Sequence, residues 1–232
     1  ESTLAPDLKS AIWEFTITEF PKKSYRINDL ATFFIQRVYT LADDEEKKNE
    51  LFDIIFENWK YRNLLSENHN SSLIICLLKL IEQPSIKDKR KTFEQLLLKS
   101  FSDFRLAFTA ALEHSKIEFG TSLLDQAKDV FNKNLYLEEI ENMEFTLAIE
   151  KEDLKQINSV GEKLFIRSEN MEVYKKLKSI NNGHWQKKRN QIISKIKSEN
   201  TKGNSEILAK IYAEENLFDD LLDYLLNSNS LE

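Results

Sequence analysis

Apolar residues recur along this chain at spacings of three and four, and residues 184–226 carry the clearest run. Trp185, Ile192, Ile193 and Ile196 fall on one helical face. Asn200 and Gly203 interrupt the pattern, as a C-terminal stop does. Ile207, Leu208, Ile211 and Tyr212 form a second stripe behind Asn204 and Ser205, which are candidate N-caps. Asn216 with Asp219 resembles a capping box, with Asp in place of the usual Glu or Gln. Leu221, Leu222, Leu225 and Leu226 make a third stripe. Helices this short do not persist alone in water, so each is expected to bury its stripe against a neighbour. Short helices with short connections form antiparallel hairpins.

The same periodicity runs upstream. Pro6 and Asp7 open a helix with Ile12, Trp13, Phe15 and Phe20, stopped at Pro21. Asn28 or Asp29 caps the next, which carries Leu30, Phe33, Phe34, Val38 and Leu41. Acidic residues 43–46 place negative charge at a third helix N-terminus, where the dipole favours it. Leu51, Ile54, Ile55, Phe56 and Trp59 follow. Ser71 or Ser72 is expected to start a helix through Ile81 that is apolar nearly all round and therefore central. Further helices are expected from Ser85 through Phe101, over 106–119 with a stop at Gly120, and from Thr121 or Ser122 to Phe131. Three more are expected over 135–149, 154–166 and 171–180, the last closed by Asn182 and Gly183. The total is about a dozen helices with short turns. A faint repeat pairs Phe131 with Ile140, Phe165 with Tyr174 and Tyr212 with Leu221. Phe131 and Phe165 lie 34 residues apart, the tetratricopeptide period, but that family's signature residues are missing.

Composition agrees with this pattern. The 232 residues include 4 Gly and 3 Pro, too few for a β-sandwich or a loop-rich enzyme. With 41% hydrophobic and 31% charged residues the chain is expected to fold rather than stay disordered. Its net charge of −6 speaks against a whole-molecule nucleic-acid binder. The apolar run at 73–81 is too short to span a bilayer, and no signal peptide is apparent, so a cytoplasmic setting is expected. The chain begins at Glu1, not Met. It ends in Leu231 and Glu232, read as a purification-tag remnant, so an excised segment of a longer protein is expected.

Candidate chemistry is sparse. His69, His114 and His184 are scattered without metal-ligand spacing, and Cys76 sits mid-helix as an expected buried, inert thiol. The glycines are too few for a nucleotide-binding loop. Glu50, Asp53 and Glu57 share a helix face, as do Asp219 and Asp223, and both read as solvated faces. The aromatics lie mostly on apolar stripes, which indicates core packing rather than stacking platforms for single strands. Eight basic residues run without an acidic one from Lys175 to Lys197: Lys175, Lys176, Lys178, Lys187, Lys188, Arg189, Lys195 and Lys197. Either they pack between acidic helices, with Glu138, Glu139, Glu141 and Glu144 before and Glu214, Glu215, Asp219 and Asp220 after partly offsetting their charge, or Lys187, Lys188 and Arg189 face outward beside His184 as a candidate anionic-partner patch.

Several of these residues carry a resemblance. Tyr174, Leu177 and Lys178, then Trp185 and Arg189, then Ile211, Tyr212 and Asp219 form a pattern similar to the helical region downstream of the zinc finger in bacterial SWIM-finger proteins. The likeness spans residues 164–226, about a quarter of the chain. The finger needs three Cys and one His, and a chain whose sole cysteine is Cys76 cannot contain it. The resemblance implies only the associated helices. Such proteins are linked with DNA-associated helicase-type ATPases, and that association transfers to no residue here.

The sequence therefore reads as an all-α, right-handed array of antiparallel helix hairpins, a TPR- or HEAT-like α-solenoid or superhelix. An N-terminal helical half is expected over 1–120 and C-terminal helix-hairpin repeats over 121–230. The expected role is a non-enzymatic scaffold for a protein partner, with no catalytic, cofactor or metal residues. The alternatives are a nucleic-acid-associated module of the SWIM type and a HEAT-type DNA-repair glycosylase. The purified, tag-free chain is expected to hold no stoichiometric zinc. Elemental analysis checks this, and one zinc per chain refutes it.

Overall fold

The computed structural model describes residues 5–19, 38–60, 67–131, 135–199 and 204–228. Among them the chain forms twelve α-helices and no strand. These are α1 (Pro6–Glu19), α2 (Glu45–Lys60), α3 (Glu67–Leu80), α4 (Lys87–Leu97), α5 (Phe101–Glu113) and α6 (Ile117–Val130), followed by α7 (Leu137–Glu150), α8 (Leu154–Ser168), α9 (Met171–Ile180), α10 (Trp185–Glu199), α11 (Asn204–Glu214) and α12 (Phe218–Ser228). Helices adjacent in sequence pack against each other as hairpins: α2 on α3, α5 on α6, α7 on α8, α8 on α9, and α11 on α12. The all-α array of antiparallel hairpins is thus the observed architecture. No helix among the described residues is long and apolar enough to cross a membrane.

The chain divides into two compact units, Glu1–Lys133 and Asn134–Glu232. The division lies past the expected 120/121 boundary because Gly120 falls inside α6. In the first unit, the Asp44 carboxylate accepts the Lys47 amide at 2.7 Å and starts α2, as the acidic cluster implied. The helix expected around Leu30, with its caps, lies outside the described residues except for Val38 and Leu41. α3 begins at Glu67, ahead of the expected Ser71 or Ser72. It packs on both α2 and α5, and Leu73, Ile74, Cys76, Leu77, Leu78 and Leu80 are all buried. The central position expected of this helix is what its all-round apolar surface requires. Phe93 of α4 joins the layers, its ring 5.3 Å from Trp59 and 6.2 Å from Phe119. The buried Glu94 is held by Arg90 at 2.8 Å and by the Gln126 amide at 2.8 Å, tying α4 to α6.

Helix ends account for the largest departures from the sequence pattern. The helix expected to run through Phe101 stops at Leu97, because Ser100 caps α5 by accepting the Asp103 amide at 3.4 Å. The next stop is at Ser115, whose φ of 57° lies in the left-handed region, and not at Gly120. There the Lys116 amide donates to the Ala111 carbonyl at 2.7 Å and the Ser115 amide to Leu112 at 3.0 Å, the paired bonds of a Schellman turn. The same pair of bonds recurs around Glu152, from Asp153 to Ala148 and from Glu152 to Ile149, and around Asn216, from Leu217 to Tyr212 and from Asn216 to Ala213. Glu169 is a fourth left-handed residue, its amide donating to Phe165 at 2.8 Å. In every case the next helix starts two residues on, at Ile117, Leu154, Met171 and Phe218. Asn216 therefore closes α11 rather than capping α12 as expected, since Asn tolerates the left-handed conformation that ends a helix.

In the second unit one core runs through Phe145, Leu164, Phe165, Tyr174, Leu177, Trp185, Ile192, Ile196, Ile211 and Tyr212. Asp153 and Asn170 cap α8 and α9 by accepting the Gln156 and Glu172 amides at 3.0 and 2.9 Å. The stripes expected on α10 and α11 are buried. The stripe expected on α12 is not: Leu221 and Tyr224 pack on the core while Leu222, Leu225 and Leu226 stay exposed. The faint repeat does not recur as a single contact. Phe165 meets Tyr174 at 5.0 Å, but Tyr212 meets Tyr224 and Phe131 packs on Phe101 within the first unit.

Gly161 is where α7, α8 and α9 converge. A Cβ there would stand 2.5 Å from Phe145 Cε2 and 2.8 Å from Leu177 Cδ2. Gly161→Ala is expected to lower stability by about 1–3 kcal/mol through overpacking. Glu152→Gly is expected to raise it by about 0.5–1 kcal/mol by relieving a left-handed non-glycine residue. Urea titration of both variants checks the opposite signs.

Candidate functional site

The densest polar cluster of the second unit forms around Glu215, immediately after α11. Tyr174 and Lys178 stand four residues apart on α9, and Trp185 and Arg189 stand four apart on α10, so each pair shares a helix face. All four side chains converge on the Glu215 carboxylate. The Tyr174 hydroxyl donates to Oε1 at 3.2 Å, Trp185 Nε1–H at 3.1 Å and Lys178 Nζ at 2.9 Å. Arg189 reaches Oε2 at 3.5 Å. The side chain of Glu215 is 6% exposed. Phe165, Tyr174 and Trp185 pack beside it, the first pair tilted and the second edge-on, with centroids 5.0 Å apart at each step.

Two further glutamates each face two cations, though Glu141 Oε1 accepts no hydrogen bond among the described residues. Glu141 of α7 faces Arg167 at 2.6 Å and Lys163 at 3.1 Å, both on α8. Glu162 of α8 faces Lys188 at 2.6 Å and Lys195 at 3.0 Å, both on α10. Asn158 and Asn181 exchange amide hydrogen bonds at 3.1 and 2.9 Å. Lys197 lies 5.8 Å from the Tyr212 ring centroid.

Electrostatics decide what the Glu215 cluster can do. Burial works to raise the carboxyl, but the donors from Lys178, Trp185 and Tyr174 outweigh it and hold the group below the ordinary glutamate range. Burial, reinforced by the adjacent Glu215 charge, pushes the Tyr174 phenol far up, so it stays a donor. A carboxylate held ionised and saturated with donors is poorly placed to take a proton from a substrate. The arrangement locks α9, α10 and α11 together. At Glu162 burial likewise opposes ionisation, and the two lysines prevail.

The candidate patch is divided by this geometry. Lys188 and Arg189 do not face outward as a free pair: they are half-buried and engaged with Glu162 and Glu215. Lys187 and His184 are exposed. Of the eight basic residues, Lys176, Lys187 and Lys197 make no ion pair among the described residues. Gln186, Lys187, Asn190, Gln191 and Ser194 line a shallow concavity on the outer face of α10.

The remaining candidates are dispersed. Asp53 pairs with Lys89 at 2.6 Å, and Glu57 pairs with Lys60. His114 ends α5, and the side chain of His69 lies outside the described set. No group of three or more His, Cys, Asp or Glu among the described residues is placed to hold a metal ion. Cys76 is buried, and burial pushes its thiol up to about 11. Compared with known proteins, the sequence matches no family model and no curated relative.

Glu215 is one of the acidic residues expected to offset the basic run, but the sequence does not mark it as the single acceptor that Tyr174, Lys178, Trp185 and Arg189 share. The signal was available in part. Two aromatic donors, each followed one turn later by a cation, imply a buried acceptor between the helices.

Glu215→Gln is expected to lower stability by about 2 kcal/mol at neutral pH, since it removes charge-assisted bonds. The carboxyl is depressed in the folded state. Its contribution is therefore complete above the ordinary value of 4.5 and is lost as pH falls through the folded value. Melting temperatures across that acid range should converge for wild type and variant, and a constant gap between them refutes the assignment.

Proposed function

We propose that this chain is a non-enzymatic helical scaffold that holds a protein partner. The observation that carries this reading is the contrast in α12. The buried stripes of α10 and α11 face the core, whereas Phe218, Leu222, Leu225 and Leu226 are exposed at 63, 58, 45 and 64%. Neighbouring exposed apolar residues on a folded domain mark interaction surfaces. Asp53 and Glu57 are taken up in ion pairs and Asp219 and Asp223 lie on an exposed face, which supports binding over catalysis. The SWIM-type resemblance supports the same reading through its packing residues: Tyr174, Lys178, Trp185 and Arg189 serve helix assembly here. A tetratricopeptide-like or HEAT-like superhelix in the cytoplasm is the setting we attach to it. Nucleic-acid association is the weaker alternative, because only Lys187 and His184 of the candidate patch remain outward.

A benzophenone photo-cross-linker in place of Lys91 on α4, Lys187 on α10 or Asp220 on α12 tests the scaffold reading. The expected result is one protein captured repeatedly at one position, with the complex reconstituted from purified components. Capture of no protein at any of the three positions, or capture of nucleic acid instead, overturns it.

A further inference from the structure

The exposed face of α12 has a chemistry that specifies what covers it. Phe218, Leu222, Leu225 and Leu226 follow the spacing of one helical stripe and continue past the half-buried Leu221 and Tyr224, which face Tyr212. The stripe spans an 11-residue helix. Asp219 and Asp223 stand four residues apart, so they run along one edge of it. Asp220 adds a third carboxylate, and no Lys, Arg or His occurs within Phe218–Ser228.

Resting on the scaffold reading above, we propose that this face docks an amphipathic helix of a partner protein. That helix carries an apolar stripe of about three turns, flanked on one side by Lys or Arg. Helix-in-groove recognition uses anchors at this spacing. The acidic edge selects the flank. Lysine or arginine opposite Asp219 and Asp223 is attracted, and a carboxylate there is repelled. The same edge disfavours other occupants. A second copy of α12 in the antiparallel pairing sets its own Asp219 and Asp223 along the same edge, like charge against like. An anionic membrane or a nucleic-acid backbone meets the same repulsion.

The test uses labelled synthetic helical peptides with identical apolar stripes and either Lys or Glu flanks, titrated against the whole chain by fluorescence anisotropy. The Lys-flanked peptide is expected to bind, and the Glu-flanked one to bind about tenfold more weakly. Leu222→Ser with Leu226→Ser should abolish binding of both. Asp219→Asn with Asp223→Asn should erase the preference for Lys while leaving apolar binding. Circular dichroism melts confirm that each variant is folded, and both pairs of positions are solvent-exposed, which favours folding. Equal or stronger binding of the Glu-flanked peptide overturns the proposal. So does concentration-dependent dimerisation that the Leu222→Ser, Leu226→Ser variant removes, or binding to anionic vesicles through this face. Binding of neither peptide overturns it too, and the photo-cross-linking then separates the cases. A protein captured elsewhere leaves the scaffold reading standing without this partner chemistry, and no capture anywhere removes both.

Discussion

A carboxylate withdrawn from water must be met by donors, because an unpaired buried charge costs several kcal/mol. Glu215 imposes that demand on the second unit. Its neighbours cannot be supplied by one helix, since a single helix face offers only residues three or four apart. Two helices each contribute such a pair, and α9 and α10 are thereby fixed against the end of α11. Glu162 and Glu141 repeat the demand between α8 and α10 and between α7 and α8. Apolar burial supplies most of the drive to pack, but it is non-directional. The buried ion pairs give direction, selecting one rotation of each helix about its axis.

The first unit meets the same problem differently. Its helices carry the longer apolar faces, and Phe93 stands among Phe52, Phe56, Trp59 and Phe119. Edge-on and stacked rings have angular preferences of their own. Aromatic geometry there takes part of the orienting role that buried carboxylates take in the second unit, beside the buried Glu94, which Arg90 holds, and the buried Asp103.

Much of this was legible in the sequence, for identifiable reasons. The buried stripes of α3, α10 and α11 follow from periodicity alone, because burial of a stripe needs no knowledge of the partner. The starts of α8 and α9 fall at 154 and 171 as the pattern says, and the structure adds their caps, Asp153 and Asn170. What periodicity cannot see is which side of a two-sided stripe turns inward. Leu221 and Tyr224 of α12 face the core while Leu222, Leu225 and Leu226 are exposed, because the preceding turn, with Leu217 packed on the core, sets the helix's rotation. Nor can it see a non-glycine residue in the left-handed region. Ser115 and Glu152 read as ordinary polar residues, Asn216 reads as an N-cap, and Gly120, the residue that looks like a stop, is helical. Glu215 was hidden because an acidic residue at a helix end usually sits in water, and only the assembled helices remove it.

The recurring left-handed turn has a consequence for how this chain can change length. Each turn leaves a fixed interval of one residue between the left-handed position and the next helix. One residue added inside that interval changes where the next helix starts relative to the paired bonds that close the turn. After Glu152 such a change would shift Glu162, Leu164 and Phe165 against their partners together. The hairpin corners thus act as phase locks. Length variation is tolerable at the wider connections between hairpins and forbidden at the corners, even though the corners are the exposed and outwardly unremarkable parts of the surface.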